Sequence, residues 1–260
     1  MDLQLKGRRI LITGASSGIG LATATMLAGE GARLALCARD EPRLREATAA
    51  LAEITDVVTA TCDVTDRQSV ENFVSQAIDR LGGLDGVVCN AGRSLMSTVD
   101  DTSDDDIRTE FDLKIFGALN VVRAAKKALA SSDSASIVVV NAILSRQPES
   151  RLAITAAARA GLLNLSRSLA NDYAAENIRV NSVLLGLVDT GQWQRRHGDS
   201  DTELDFADWS AEIAADRGIG LGRFGTADEL AFPITALLSP RSSYITGASL
   251  DVGGGVHRYV

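Results

Sequence analysis

Between the apolar run Ile10-Leu11-Ile12 and the helix-forming run Leu21 to Leu27, the chain reads Thr13-Gly14-Ala15-Ser16-Ser17-Gly18-Ile19-Gly20. A strand, a tight turn and a helix in that order leave unpaired backbone N–H groups at the helix start, where an anion is held. Glycines at 14, 18 and 20 remove the Cβ atoms that would keep a diphosphate off the backbone and the helix off the strand. The ligand this implies is a dinucleotide. Glycine triplets also serve ordinary turns, and it is the flanking strand and helix that give this one its meaning.

With 260 residues, 45% of them hydrophobic, and no Pro/Ser-rich linker, residues 1–260 read as a single α/β domain. The N-terminus lacks a basic region followed by an apolar stretch, and no long apolar run occurs anywhere. The expectation is a soluble, cytoplasmic protein. Cys37, Cys62 and Cys89 are widely spaced, with no CxxC or Cys/His cluster, so buried reduced thiols are expected and no metal site. A net charge of -8 without a basic stripe speaks against nucleic acid and anionic membrane as partners.

Short β-branched runs alternate with longer helical patterns, which predicts a doubly wound parallel sheet of about seven strands with helices on both faces. Strands are expected near 8–13, 32–38, 57–62, 84–89, 136–141, 178–184 and 248–252, and helices over 19–29, 41–53, 67–81, 104–130, 152–175 and 226–239. The second strand ends Cys37-Ala38-Arg39-Asp40. A carboxylate there would bond the ribose hydroxyls of NAD, whereas an Arg would pair with the 2′-phosphate of NADP. Asp40-Glu41-Pro42 suits a helix start, which leaves Arg39 facing the nucleotide and favours NADP(H) over NAD(H).

From about residue 8 to 255 the sequence resembles the short-chain dehydrogenase/reductase family, which gives the fold as Rossmann-type. Beyond the glycine turn, the resemblance rests on Cys62-Asp63-Val64-Thr65, Asn90-Ala91-Gly92, Ile178-Arg179-Val180-Asn181, and Leu185 to Thr190 in place of the family's Pro-Gly-x-x-x-Thr. Gly222-Arg223-Phe224-Gly225, Asp228-Glu229-Leu230-Ala231, Ile245-Thr246-Gly247 and Asp251-Val252-Gly253-Gly254 extend it. It implies that Asp63 bonds the adenine and that Gly14, Ser16, Ser17, Gly18, Ile19, Gly20, Arg39, Val64, Asn90, Ala91, Gly92, Arg159, Gly186, Val188 and Thr190 hold the cofactor. It also implies a homodimer or homotetramer.

In that family a Ser holds the reacting oxygen and a Tyr exchanges the proton. A Lys four residues later lowers the Tyr pKa and binds the nicotinamide ribose, and an Asn supports the Lys through water. A Tyr near pKa 10 needs such a cation to work at neutral pH. By register the Tyr and Lys positions hold Thr155 and Arg159, the Ser position Ala142 and the Asn position Lys114. Tyr173 lies 18 residues beyond Thr155, roughly 27 Å along a helix, and cannot substitute. An aliphatic hydroxyl is too weak an acid, and Arg, with a pKa above about 12, relays protons poorly. A semi-buried Lys titrates near neutrality, so Lys114, or a water held by Lys114, Arg159 and Thr155, is the expected proton donor.

Residues 190–222 are expected to form a substrate lid, with Arg195 and Arg196 on a solvated charged face, His197 on the surface, and His257 to Val260 a disordered tail or an arm to a neighbouring subunit. Three functions follow. The first is an NADP(H)-dependent oxidoreductase acting on a small carbonyl, alcohol or activated alkene with a non-standard proton donor. The second is an inactive nucleotide-binding relative with a regulatory or assembly role. The third is a non-redox lyase or isomerase using the same cleft.

Overall fold

Seven parallel strands form the sheet, the inner five buried on both faces and the two edge strands, β3 and β7, only partly: β1 (Arg9–Thr13), β2 (Arg33–Ala38), β3 (Val57–Thr61), β4 (Gly86–Cys89), β5 (Ala135–Ala142), β6 (Ile178–Leu185) and β7 (Ser249–Val252). The computed structural model describes residues 1–259. The strand order is β3-β2-β1-β4-β5-β6-β7. It reverses direction between β1 and β4, and the crevice at such a switch point is where doubly wound sheets bind ligands.

The helices are α1 (Gly18–Gly29), α2 (Glu41–Thr48), α3 (Arg67–Leu81), α4 (Asp104–Phe111), α5 (Gly117–Leu129), α6 (Ala153–Tyr173), α7 (Gly191–Gly198), α8 (Phe206–Asp216) and α9 (Ala227–Leu238). Side chains alternate across the sheet. Leu11 therefore joins Phe73, Val121 and Leu162 in one core, while Ile10 and Ile12 join Leu27, Leu44 and Ile234 in the other. Covering both faces is what lets β5 read as an unbroken buried strand.

Two expected helices differ in detail, and the lid adds two more. The helix over 41–53 is α-helical only to Thr48 and finishes as a 3-10 segment, Ala49–Glu53. Asp40 caps its start by accepting from the Arg43 N–H at 3.1 Å. The helix over 104–130 follows the expected path but is interrupted by a π turn, Asp112–Phe116, between α4 and α5. A π turn inserts a residue into the helical repeat, which hydrophobic periodicity does not register, and such turns gather at functional sites. The lid is itself helical: α7 and α8 pack on a separate small core of Ala214, Ile219 and Phe224 with Trp193 and Val256.

The expected disordered tail instead folds back. The Arg258 N–H donates to Gln147 Oε1 at 2.8 Å, and Arg146 lies over the Tyr259 ring at 5.3 Å. Val260 lies outside the described residues. Cys37, Cys62 and Cys89 are free and buried. Among the described residues no helix is long and apolar enough to cross a membrane, and no cluster of metal-ligating side chains occurs.

At the N-terminal edge of the sheet, Asp85 is 4% exposed. It accepts from the Arg9 N–H at 2.9 Å, from Arg9 Nε and Nη2 at 2.8 and 2.7 Å, and from Ser132 Oγ at 2.7 Å. Burial pushes its carboxyl up, but these donors outweigh that and hold it below the usual carboxylate range. A carboxylate depressed in the folded state contributes stability that is present above its unfolded pKa and lost as pH falls through the folded one. Asp85→Ala is expected to cost about 1–3 kcal/mol, because it strands half-buried donors. Urea unfolding near neutral pH and near about pH 3 checks this: the gap from the unaltered protein should narrow in acid.

Candidate active site

A cavity of about 950 Å³ runs along the C-terminal ends of the central strands. Its floor is the glycine turn. Gly14 and Gly18 have φ of +68° and +55°, and a Cβ on Gly14 would stand 2.9 Å from the Ala91 Cα. Asn90 fastens the turn across the switch point, its Nδ2 donating to the Thr13 and Gly14 carbonyls at 3.0 Å each. The α1 N-terminus thus opens into the cavity through Ser16, Ser17, Gly18 and Ile19. Gly20 does not line the cavity: a Cβ there would meet the Gly14 carbonyl oxygen at 2.3 Å, so this glycine lets the turn pack on itself.

At one end lie Arg39, Asp63 and Val64. Burial pulls the Asp63 carboxyl up, yet hydrogen bonds from Thr65 N and Oγ1 at 2.9 and 2.7 Å and the charge of Arg39 leave it below its ordinary value. Asn90, Ala91 and Gly92 form the middle, and Gly186, Val188 and Thr190 the opposite wall, where Thr190 Cγ2 touches the Gly18 position. An opened helix N-terminus, glycines where a Cβ would collide, and a cation at the end of β2 fit a dinucleotide with an extra phosphate.

Lys114, Ala142 and Arg159 meet at the inner end. The π turn carries Lys114 inward to 3% exposure. Its Nζ donates to the Arg93 carbonyl at 2.6 Å and stands 3.1 Å from Glu110 Oε1. Burial first, and then the positive charge of Arg159, lowers Lys114 to about 8, with Glu110 pulling the other way. Arg159 is 7% exposed, and burial lowers it to about 10. Asn141 ties its helix to the end of β5, Nδ2 donating to the Arg159 carbonyl at 3.0 Å, while Arg159 Nε has no hydrogen-bond partner. Arg159 thus lines the cavity with a guanidinium that the protein does not fully satisfy.

Thr155 corrects the expectation that its hydroxyl faces the reacting atoms. It is fully buried behind the wall, accepts from the Leu95 N–H at 3.1 Å and donates to Glu110 Oε1 at 2.7 Å. It therefore holds no water jointly with Lys114 at the cavity face.

Glu110, 1% exposed, is the member sequence reasoning missed, joining Lys114 and Thr155 from behind. Its spacing of four from Lys114 was the available signal, but that spacing is commonplace on exposed helices. Ser145 Oγ, beside the Ala142 position, is buried without a partner. His197 serves structure: its ring lies among Phe206 and Trp209, with Nε2 at 2.9 Å from the Leu204 carbonyl. Tyr173 sits at the far end of α6 under Lys126.

A family model described as Enoyl-(Acyl carrier protein) reductase matches residues 14–257. A glucose 1-dehydrogenase from Gluconobacter oxydans is 31% identical over 257 residues, covering 97% of this chain and 93% of that one. The chain belongs to the short-chain dehydrogenase/reductase family. An NADPH-bound short-chain oxidoreductase from Pseudomonas aeruginosa PAO1, described as containing an atypical catalytic center, is 41% identical with a TM-score of 0.93, covering 98% of this chain and 99% of that one. L-sorbose reductase from Gluconobacter frateurii, complexed with NADPH and L-sorbose, is 30% identical with a TM-score of 0.96 over the whole of both chains. The short-chain dehydrogenase/reductase chain described here is thus an oxidoreductase by family, with NADPH-binding relatives.

Proposed function

We propose that this protein interconverts a small carbonyl compound and its alcohol, or reduces an activated alkene, with NADP(H) in preference to NAD(H), and that Lys114 is the proton donor. The observation carrying the reading is the placement of Lys114 in the cavity wall at 3% exposure, its Nζ 2.6 Å from the Arg93 carbonyl and 3.1 Å from Glu110 Oε1, a buried setting that lowers it to about 8. Around it the alternatives are poor: Ala142 offers no polar side-chain atom, the Thr155 hydroxyl is engaged behind the wall, and Arg159 keeps its proton at neutral pH.

NADPH, when bound, supplies the hydride to the substrate carbon. Lys114 Nζ gives its proton to the carbonyl oxygen, so that one C–H and one O–H bond form and the amine is left neutral. Glu110 orients the ammonium and keeps it charged until then. Arg159, which lines the cavity and stays cationic, would hold the cofactor's nicotinamide ribose. Homo-oligomerisation, implied by the resemblance, belongs to the same reading.

The test measures NADPH and NADH affinity separately from NADPH oxidation against a panel of small carbonyls. Tight nucleotide binding with no oxidation on any member would overturn the reductase reading. Arg39→Ala should weaken NADPH by about tenfold and NADH by much less, because only the former loses a phosphate partner. Equal affinity of the unaltered protein for the two nucleotides would remove that role from Arg39.

A further inference from the structure

The chain carries a net charge of -8, yet seven cationic side chains line the cavity against four carboxylates. The cofactor accounts for part of this excess. Arg39 is the partner expected for the cofactor's extra phosphate, and Arg195 is exposed to solvent. Two more cations already have partners: Lys114 pairs with Glu110, and Arg217 with Glu149. Arg93, which is exposed, Arg159, which is buried, and the half-buried Arg196 remain, and among the described residues none has a carboxylate within ion-pair distance. The two uncommitted carboxylates of the lining, Asp112 and Asp199, are exposed.

Arg196 departs from the solvated face expected of it. It is half-buried, its guanidinium lies 4.7 Å over the Trp193 ring, and it makes no side-chain hydrogen bond. Burial and the charge of Arg217 both act against its protonated form. At the inner end, Arg93 and Arg159 likewise oppose the charge on Lys114. Like charges lining one cavity repel, and an anion entering among them relieves the repulsion. The donors assigned to the dinucleotide's phosphates are the α1 N-terminus and Arg39, and reduced nicotinamide carries no charge, so neither half of the cofactor is expected to neutralise these cations.

Deepening the reductase reading above, on which it rests, we infer that the substrate is a small oxo acid whose carboxylate is received by Arg196 and Arg93, with its carbonyl turned toward Lys114. The anion would also help Lys114 stay protonated until the reduction takes its proton. Arg196 enters from the lid helix, so docking of the carboxylate links substrate binding to lid position.

Titration calorimetry on the NADPH-loaded protein, whose nicotinamide is uncharged, tests this with oxalate against oxamide, a neutral molecule of the same shape. Oxalate should bind at least about tenfold more tightly than oxamide, and Arg196→Gln should remove most of that difference while NADPH affinity stays within about twofold. Arg196 has no hydrogen-bond partner to strand, so the variant should fold as the parent does. Equal binding of oxalate and oxamide, or oxalate binding that survives Arg196→Gln combined with Arg93→Gln, would overturn the inference. NADPH oxidation should be faster with short 2-oxo acids than with their methyl esters. Equal rates on acids and esters would overturn the substrate class while sparing Lys114. Oxalate binding without NADPH consumption on any oxo acid would support the anion site while sinking the reductase reading.

Discussion

Lys114→Met is expected to slow NADPH oxidation by about 10²–10⁴-fold while leaving NADPH affinity within about twofold, as for loss of a general acid that does not hold the nucleotide. Methionine keeps the length of the side chain but carries no proton. The buried Glu110 would then lack its cation, so the Lys114→Met/Glu110→Gln double variant, which removes both charges, separates lost chemistry from a stranded carboxylate. Lys114→Arg sharpens the test further. Arginine preserves the charge but does not give up a proton near neutrality, so it should be nearly as slow as methionine; recovery of the rate by arginine would mean that charge alone suffices.

The pH dependence has a definite sign. Reduction needs the ammonium, so its rate should fall as pH rises through about 8, and the reverse oxidation, needing the neutral amine, should rise over the same range. Glu110 holds Lys114 up against burial and Arg159. Glu110→Gln should therefore move the fall in reduction to lower pH without altering nucleotide affinity. A pH profile that stays in place in Glu110→Gln would reduce the buried pair to packing.

How much of this was legible in the sequence depends on whether the cause was local. Strands such as β5, buried on both faces, announce themselves as unbroken apolar runs, and Asp40 announces a helix start through its position before Glu41-Pro42. The glycine turn is likewise local, which is why the cavity floor is where the motif places it. The π turn at Asp112–Phe116 is not local in this sense: it is a shift of hydrogen bonding within a helix, and the residues remain good helix formers either way. The direction of Thr155 depends on Leu95 and Glu110, which approach from 60 and 45 residues away in the chain. Arg196 reads as surface charge among acidic neighbours: its stacking on Trp193, three residues back on α7, is local, but the turning of that helix face toward the cavity is set by the fold. The lid helices are short and charged, and their apolar contacts, such as Trp193 with Phe224 at 4.9 Å, close between separated segments.

The other large effect is expected from a single methyl group at Gly20. The Cβ of Gly20→Ala would lie 2.3 Å from the Gly14 carbonyl oxygen and 2.5 Å from Asn90 Nδ2. Neither neighbour has room to yield. The carbonyl belongs to a turn residue held at φ +68°, and Asn90 Nδ2 is bonded to that carbonyl and to Thr13 O. Relief requires α1 to move away from β1, opening the turn and misaiming the backbone donors at its N-terminus. Overpacking of this kind costs about 1–3 kcal/mol in stability, and nucleotide affinity should fall by about 100-fold, since aimed N–H groups are what the turn contributes. The control lies at the other end of the same helix: a Cβ on Gly29 meets nothing within 4 Å, so Gly29→Ala should be neutral or slightly stabilising and leave binding unchanged. Urea unfolding combined with the NADPH-induced rise in Tm separates the two contributions. A Gly20→Ala protein that unfolds earlier yet keeps the full ligand-induced rise would show that the turn supports the fold without shaping the anion site. Loss of the rise in Gly20→Ala alone ties the packing of this glycine to the phosphate site it never touches.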